Sequence, residues 1–199
     1  WKETGEKTDL AKLAEVGKKG VDLLLSESTN AEIEGNTPSE VRVIKRLESI
    51  ITEASGRVII TSFASNVYRS KKVIEIAQKT EKKIALLGSS LLRMMRIIQK
   101  ASLWPIDSSV FLPAAAIGKT RKDKIIIFCT GSQGEEKAVL SRLAHQSYSG
   151  WKIEPGDTII LTSSPIMDNR LNVEIVSNKL FALGAQIYEN SKEDILHAS

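Results

Sequence analysis

Apolar runs of strand length recur along this chain without alternating: VDLLLS (21–26), RVIITS (57–62), KIALLG (83–88), KIIIFCT (124–130), DTIILTS (157–163) and AQIYE (185–189). A strand with one face in water alternates polar and apolar side chains, whereas one that is apolar throughout is covered on both faces. Between these runs lie segments whose apolar residues fall three and four apart. Leu10, Leu13, Ala14 and Val16 outline a short first helix. Thr37-Pro38-Ser39-Glu40 reads as a capping box with proline at the first helical position, opening a helix that carries Val41, Ile44, Leu47, Ile50 and Ile51. Further helices are expected over 66–80, 90–101, 135–146 and 169–183, and an irregular excursion over 102–122. Strand and helix in alternation imply an α/β fold, a mostly parallel sheet flanked by helices with right-handed crossovers.

Composition narrows what such a fold does. Only 5% of the 199 residues are aromatic, which argues against a single-strand binder built on stacking platforms. The net charge of +4 is compatible with an anionic partner without demanding one. No apolar run approaches the roughly 18 residues that span a membrane, and no secretory signal opens the chain. The single cysteine, Cys129, rules out an internal disulfide framework and suits a cytoplasmic setting.

Ligands of open α/β sheets bind at the carboxyl ends of the strands. Here those ends read SESTNAE (26–32), TSFASN (61–66), GSS (88–90), TGSQGE (130–135) and TSSPI (162–166), with HAS (197–199) closing the chain. Small hydroxyls, amides and the free N–H groups of helix starts suit phosphate. The same residue types are also ordinary helix N-caps, and for any one loop capping is explanation enough. The double glycine of TGSQG raises a sharper expectation, that a ligand comes close to the backbone there. Neither the GxxxxGK[ST] spacing nor GxGxxG is present. His145 and His197 are the only histidines; His145 reads as a surface helix residue and Cys129 as core. No metal-ligand cluster is expected.

The loops SESTNAE, TPSE, ITSFASN, TGSQGE, PGDTIILTSSPI and HAS, in this order and spacing, resemble the ribonuclease J family. These are bacterial β-CASP members of the metallo-β-lactamase-fold nucleases. The resemblance implies a β-CASP domain (35–199), preceded by a tail of the metallo-β-lactamase domain (1–34). It implies that two divalent metal ions, usually zinc, are held outside this segment. A metal-ligand aspartate would stand just before Trp1, and a β-CASP histidine two residues after Ser199.

By the same resemblance, Glu27 matches the acidic position that orients a catalytic or metal-binding histidine. Ser65 and Asn66 line the RNA channel. Gly131, Ser132 and Gly134 form the glycine-rich turn facing it, Ser163 and Ser164 the next strand end, and His197 and Ser199 the grip on an RNA 5′ phosphate. Two positions depart from the family pattern. Ser89 stands where an arginine is usual, leaving Arg93 and Arg96 as the nearest cations, and Tyr68 stands where histidine is common. The implied function is hydrolysis of RNA, exonucleolytic from the 5′ end or endonucleolytic, by an intact enzyme that assembles as a dimer or tetramer through other regions. The segment alone is expected to be inactive. A non-catalytic module that binds a phosphate or an RNA end is the alternative.

Overall fold

The computed structural model describes residues 9–26, 28, 31–32, 34–35, 37–191 and 195–197. In chain order the elements are α1 (Leu10–Lys19), α2 (Glu40–Glu53), β1 (Val58–Thr61), α3 (Val67–Lys79), β2 (Lys83–Leu87), α4 (Ser89–Lys100), β3 (Ile125–Cys129), α5 (Val139–Ala144), β4 (Thr158–Leu161), α6 (Arg170–Ala182) and β5 (Gln186–Tyr188), with short 3-10 turns between them. The strands form one sheet in the order β2-β3-β1-β4-β5, with every pairing parallel. The expected α/β fold is therefore present.

Register divides each strand between two cores. Val58, Ile60, Ile84, Ile126, Phe128 and Ile160 pack against α2, α3 and α4. Their neighbours Ile59, Ala85, Ile127, Cys129, Ile159 and Leu161 pack against α5, α6 and the turn at Ile117. Burial on both faces is why the strands read as continuous apolar runs. Cys129 is fully enclosed, and burial pushes its thiol up to about 12.

Three boundaries differ from the sequence reading. Residues 21–26 join no strand, and Leu23, Leu24 and Leu25 are exposed; both sheet edges belong to other strands, β2 and β5. The second helix is capped by Ser39, whose Oγ accepts from the Val41 N–H at 3.2 Å, so Pro38 precedes the cap instead of following it. The helix expected over 135–146 is confined to Val139–Ala144. Ahead of it the chain is folded into a turn in which Gly134 N–H donates to the Gly131 carbonyl and Gln133 N–H to the Glu135 carboxylate.

At the amino ends of the central strands Arg57 and Asp157, both buried, form a two-pronged ion pair with contacts of 2.9 and 2.6 Å. Arg57 also donates to the Lys152 carbonyl and stacks over Trp151 at 5.0 Å, while Asp157 accepts from Glu154 N–H. This closes the end of the sheet opposite the loops of interest.

At those loops Gly131 and Gly134 are buried, with φ of 118° and 70°. A Cβ on Gly131 would stand 2.8 Å from the Leu140 side chain, and one on Gly134 would stand 2.7 Å from the backbone of Asn172 in α6.

Two substitutions test these contacts by chemical denaturation. Asp157→Ala strands a buried guanidinium and is expected to cost about 3–5 kcal/mol. Gly134→Ala, which forces a side chain into a positive-φ position against α6, is expected to cost at least about 2 kcal/mol.

Candidate functional site

Strands β1 and β4 are neighbours, yet α3 after β1 and α6 after β4 lie on opposite faces of the sheet. Such a divergence opens a crevice at the carboxyl ends of the strands. Thr162, just past β4, is fastened there to Thr61 by two bonds into one carbonyl: its N–H donates at 3.2 Å and its Oγ1–H at 2.7 Å.

Arg69, in the first turn of α3, fills the crevice with a guanidinium that is 1% exposed. Its Nη1 donates to the Thr162 carbonyl. Nε and Nη2 fork onto the two carboxylate oxygens of Glu40, the first residue of α2. His197 lies in the same cluster. Burial, with the Arg69 charge second, pushes its imidazole below the usual value, and the Thr162 carbonyl and Glu40 oppose that shift. The ring is therefore mostly uncharged at neutral pH, and its Nδ1 is buried without a hydrogen-bond partner among the described residues. The main chain of this segment is held by Asn190, whose Oδ1 accepts from the N–H groups of Leu196 and His197 at 2.9 and 3.0 Å. The Nδ2 of Asn190 donates to Ser164 Oγ at 3.1 Å. Ser164 and His197, far apart in sequence, are thus brought together by one amide.

Asn66 sits beside this cluster as the cap of α3: its Oδ1 accepts from Arg69 N–H at 3.0 Å. Ser65, next to it, is exposed. An open groove of about 650 Å³ runs from Phe63 and Ser65 to Ser89, Ser90, Arg93 and Ile97 in α4. Here Ser89 and the Arg93 cation one turn on face the same space. Arg93, Arg96 and Lys100 continue along α4 beside Ile97, and that helix contains no acidic residue. Tyr68 lines a different groove, between α2 and α3, with Lys72 over its ring at 5.7 Å.

The turn after β3 has another role. Gly131, Ser132, Gly134 and Ser163 are all buried. The space into which a Cβ would point at Gly131 and Gly134 is taken by Leu140 and Asn172 of the chain itself. Packing of the chain on itself is by this geometry sufficient reason for both glycines. Gln133, which the sequence does not single out, ties the turn to the loop after β4. Its Nε2 donates to the Ser164 carbonyl at 3.1 Å, and its Oε1 accepts from Ile166 N–H at 2.9 Å. Glu27 and Ser199 lie outside the described residues.

Arg69, Glu40, Asn190 and Gln133 are the polar residues that sequence reasoning missed. Glu40 was visible only as part of a helix-start pattern. The others signal nothing locally, because their partners lie as much as 93 residues away. Among the described residues no three of His, Cys, Asp and Glu come together as metal ligands, and no helix is long and apolar enough to cross a membrane.

The family model described as ribonuclease J, beta-CASP domain, matches residues 55–180. Ribonuclease J of Mycoplasma genitalium is 41% identical over 194 residues, covering 98% of this chain and 34% of the relative. Ribonuclease J of Thermus thermophilus is 40% identical over 183 residues, covering 92% of this chain and 32% of the relative. Ribonuclease J 1 of Streptococcus pyogenes is 36% identical over 195 residues, with 98% and 35% covered. The chain thus spans about a third of the length of the curated relatives it matches. With the matched region taking in β1 to β4 and every strand-end loop between them, this chain belongs to the β-CASP domain family of ribonuclease J.

Proposed function

We propose that this chain is the β-CASP segment of a metal-dependent, cytoplasmic ribonuclease that hydrolyses RNA phosphodiesters, from the 5′ end, internally or both. In this reading the segment covers the RNA and holds its 5′ phosphate while residues outside it carry out the cleavage. Family membership supports the nuclease activity. The observation that carries the segment's own role is the strand-end rim. There an exposed serine, a cation-bearing groove and a half-buried histidine whose Nδ1 has no hydrogen-bond partner among the described residues share the carboxyl edge of one sheet.

The residues assigned to RNA are accordingly Ser65, Asn66, Ser164 and His197, joined by Phe63, Ser89 and Arg93. The groove combines an apolar floor for bases with a guanidinium for phosphate, and single-stranded nucleic acid is held by this pairing. Gly131, Ser132, Gly134 and Ser163 support the rim from beneath. Glu27 and Ser199 keep the roles that the family resemblance implies.

The described residues do not fit a metal site, so no chemical step is assigned to an ion within this segment. Two divalent ions, zinc by the resemblance, are assigned to the metallo-β-lactamase portion of the intact protein, and dimer or tetramer contacts to regions outside this segment. Residues 1–34 are assigned to that portion. What supports this is that every described residue from 9 to 26 is exposed, including Leu10, Leu13 and Val16 along one side of α1.

Two measurements test the reading. In the full-length protein, Phe63→Ala should weaken single-stranded RNA binding by about 1–3 kcal/mol in a filter-binding titration. Arg93→Glu should lower the slope of log affinity against log salt by about 0.7 for each phosphate it ceases to neutralise. An affinity and slope unchanged in both variants would remove the groove from the RNA path. The purified 199-residue segment should not cleave RNA; cleavage that disappears on Glu27→Gln would show instead that the segment is itself the nuclease.

A further inference from the structure

Several exposed cations of this fold have a carboxylate partner. Lys79 meets Glu48, Arg121 meets Asp123 at 2.8 Å and Lys122 meets Glu154 at 2.6 Å. Helix α4 is arranged otherwise. Its three cations, Arg93, Arg96 and Lys100, are exposed, and the helix contains no acidic residue. Among the described residues none of the three forms an ion pair. Arg96 is bonded to its own helix, through Nε to the Leu92 carbonyl at 3.4 Å. Like charges three and four residues apart destabilise a helix, and Arg96 has one at each spacing, Arg93 before it and Lys100 after it. These three charges stand in a chain whose net charge is only +4. A polyanion laid along this face would turn their repulsion into attraction.

The geometry says what shape of polyanion. Leu91, Met95 and Ile98 turn one side of α4 into the core. Arg93, Arg96, Ile97 and Lys100 are left on the water side, where they line an open groove of about 440 Å³. Arg93 and Ile97 also line the groove at Phe63 and Ser65, so the two grooves are continuous. From Arg93 to Lys100 the helix advances about 10 Å, which is about three steps of a stacked nucleic-acid strand. A lone phosphate does not reach across that span. A single strand does, because it carries a charge at every step and an apolar face on every base. Ile97, 50% exposed among the cations, gives such a face something to rest on.

We propose that RNA leaving the groove continues along α4, with Arg96 and Lys100 neutralising further phosphates and Ile97 underlying the bases. The assignment rests on the reading of the groove as part of the RNA path, and it lengthens that path by the far half of α4.

The test uses the full-length protein and two single-stranded oligoadenylates with 5′ monophosphates, about 4 and about 12 nucleotides long, within the range of known single-strand sites. Phosphorothioate linkages keep the backbone charge and resist hydrolysis. Filter binding over a range of salt concentrations gives the slope of log affinity against log salt for each oligomer. In R96Q/K100Q, which removes both charges at similar side-chain size, the slope for the long oligomer should become shallower by about 1.4, or about 0.7 for each of two phosphates. The slope for the short oligomer, which the groove accommodates alone, should not change. Should the double variant not fold, Arg96→Gln and Lys100→Gln singly should each give about 0.7.

Phe63→Ala, measured beside it, separates the two readings. A long-oligomer slope unchanged in R96Q/K100Q, with binding of both oligomers weakened by Phe63→Ala, overturns the α4 track and leaves the groove in place. The cationic face would then suit an acidic protein partner. Equal changes for the two oligomers also overturn it, because the cations would then act as a general field and not as contacts along a strand. A change confined to the long oligomer, with no effect of Phe63→Ala, keeps the α4 contact and removes the groove from the RNA path. No effect of either variant sinks both.

Discussion

In a parallel sheet covered on both faces, the central strands meet the outside only at the rims where they begin and end. Every strand here runs the same way, so all carboxyl ends gather on one rim and all amino ends on the other. The two rims have been used differently. The amino rim is closed by the fork of Arg57 onto Asp157, with Trp151 beneath it. The carboxyl rim carries a groove, an exposed serine and a histidine whose Nδ1 has no hydrogen-bond partner among the described residues. Each rim contains a buried arginine clamped by a carboxylate, but only the second of these lies next to the side chains assigned to RNA.

Much of the architecture was legible because its cause is local. Strands covered on both faces must be apolar at every position, and five of the six runs that met this description became strands. The sixth, VDLLLS, has the same composition and no partner in the sheet. Apolar character records that a residue wants cover, not which surface provides it. The turn after β3 shows the same thing at shorter range. Its glycines announced that something comes close, and the neighbours turned out to be α5 and α6 of the chain itself.

Less of the site was legible, for a physical reason. Ser65, Asn66, Ser164 and His197 stand in loops whose composition marks them, and the rim brings Ser164 and His197 together through Asn190. The polar residues beneath that rim are a helix-start glutamate, an arginine inside a helix and an asparagine beyond the last strand. Each is ordinary in its own stretch of sequence and acquires meaning from a partner tens of residues away, as Arg69 does from Thr162.

Cys129 adds a practical consequence. It is the sole cysteine of this chain, it lies fully enclosed at the carboxyl end of β3, and its thiol holds its proton far above neutral pH. Thiolate, not thiol, attacks electrophiles, so the folded segment is already silent to maleimide-type reagents. A cysteine introduced at an exposed rim position such as Ser90 would carry a dye by itself, turning the groove into an optical reporter of whatever enters it. The native thiol would meanwhile serve as a clock for unfolding, becoming reactive only when the strand that hides it comes apart.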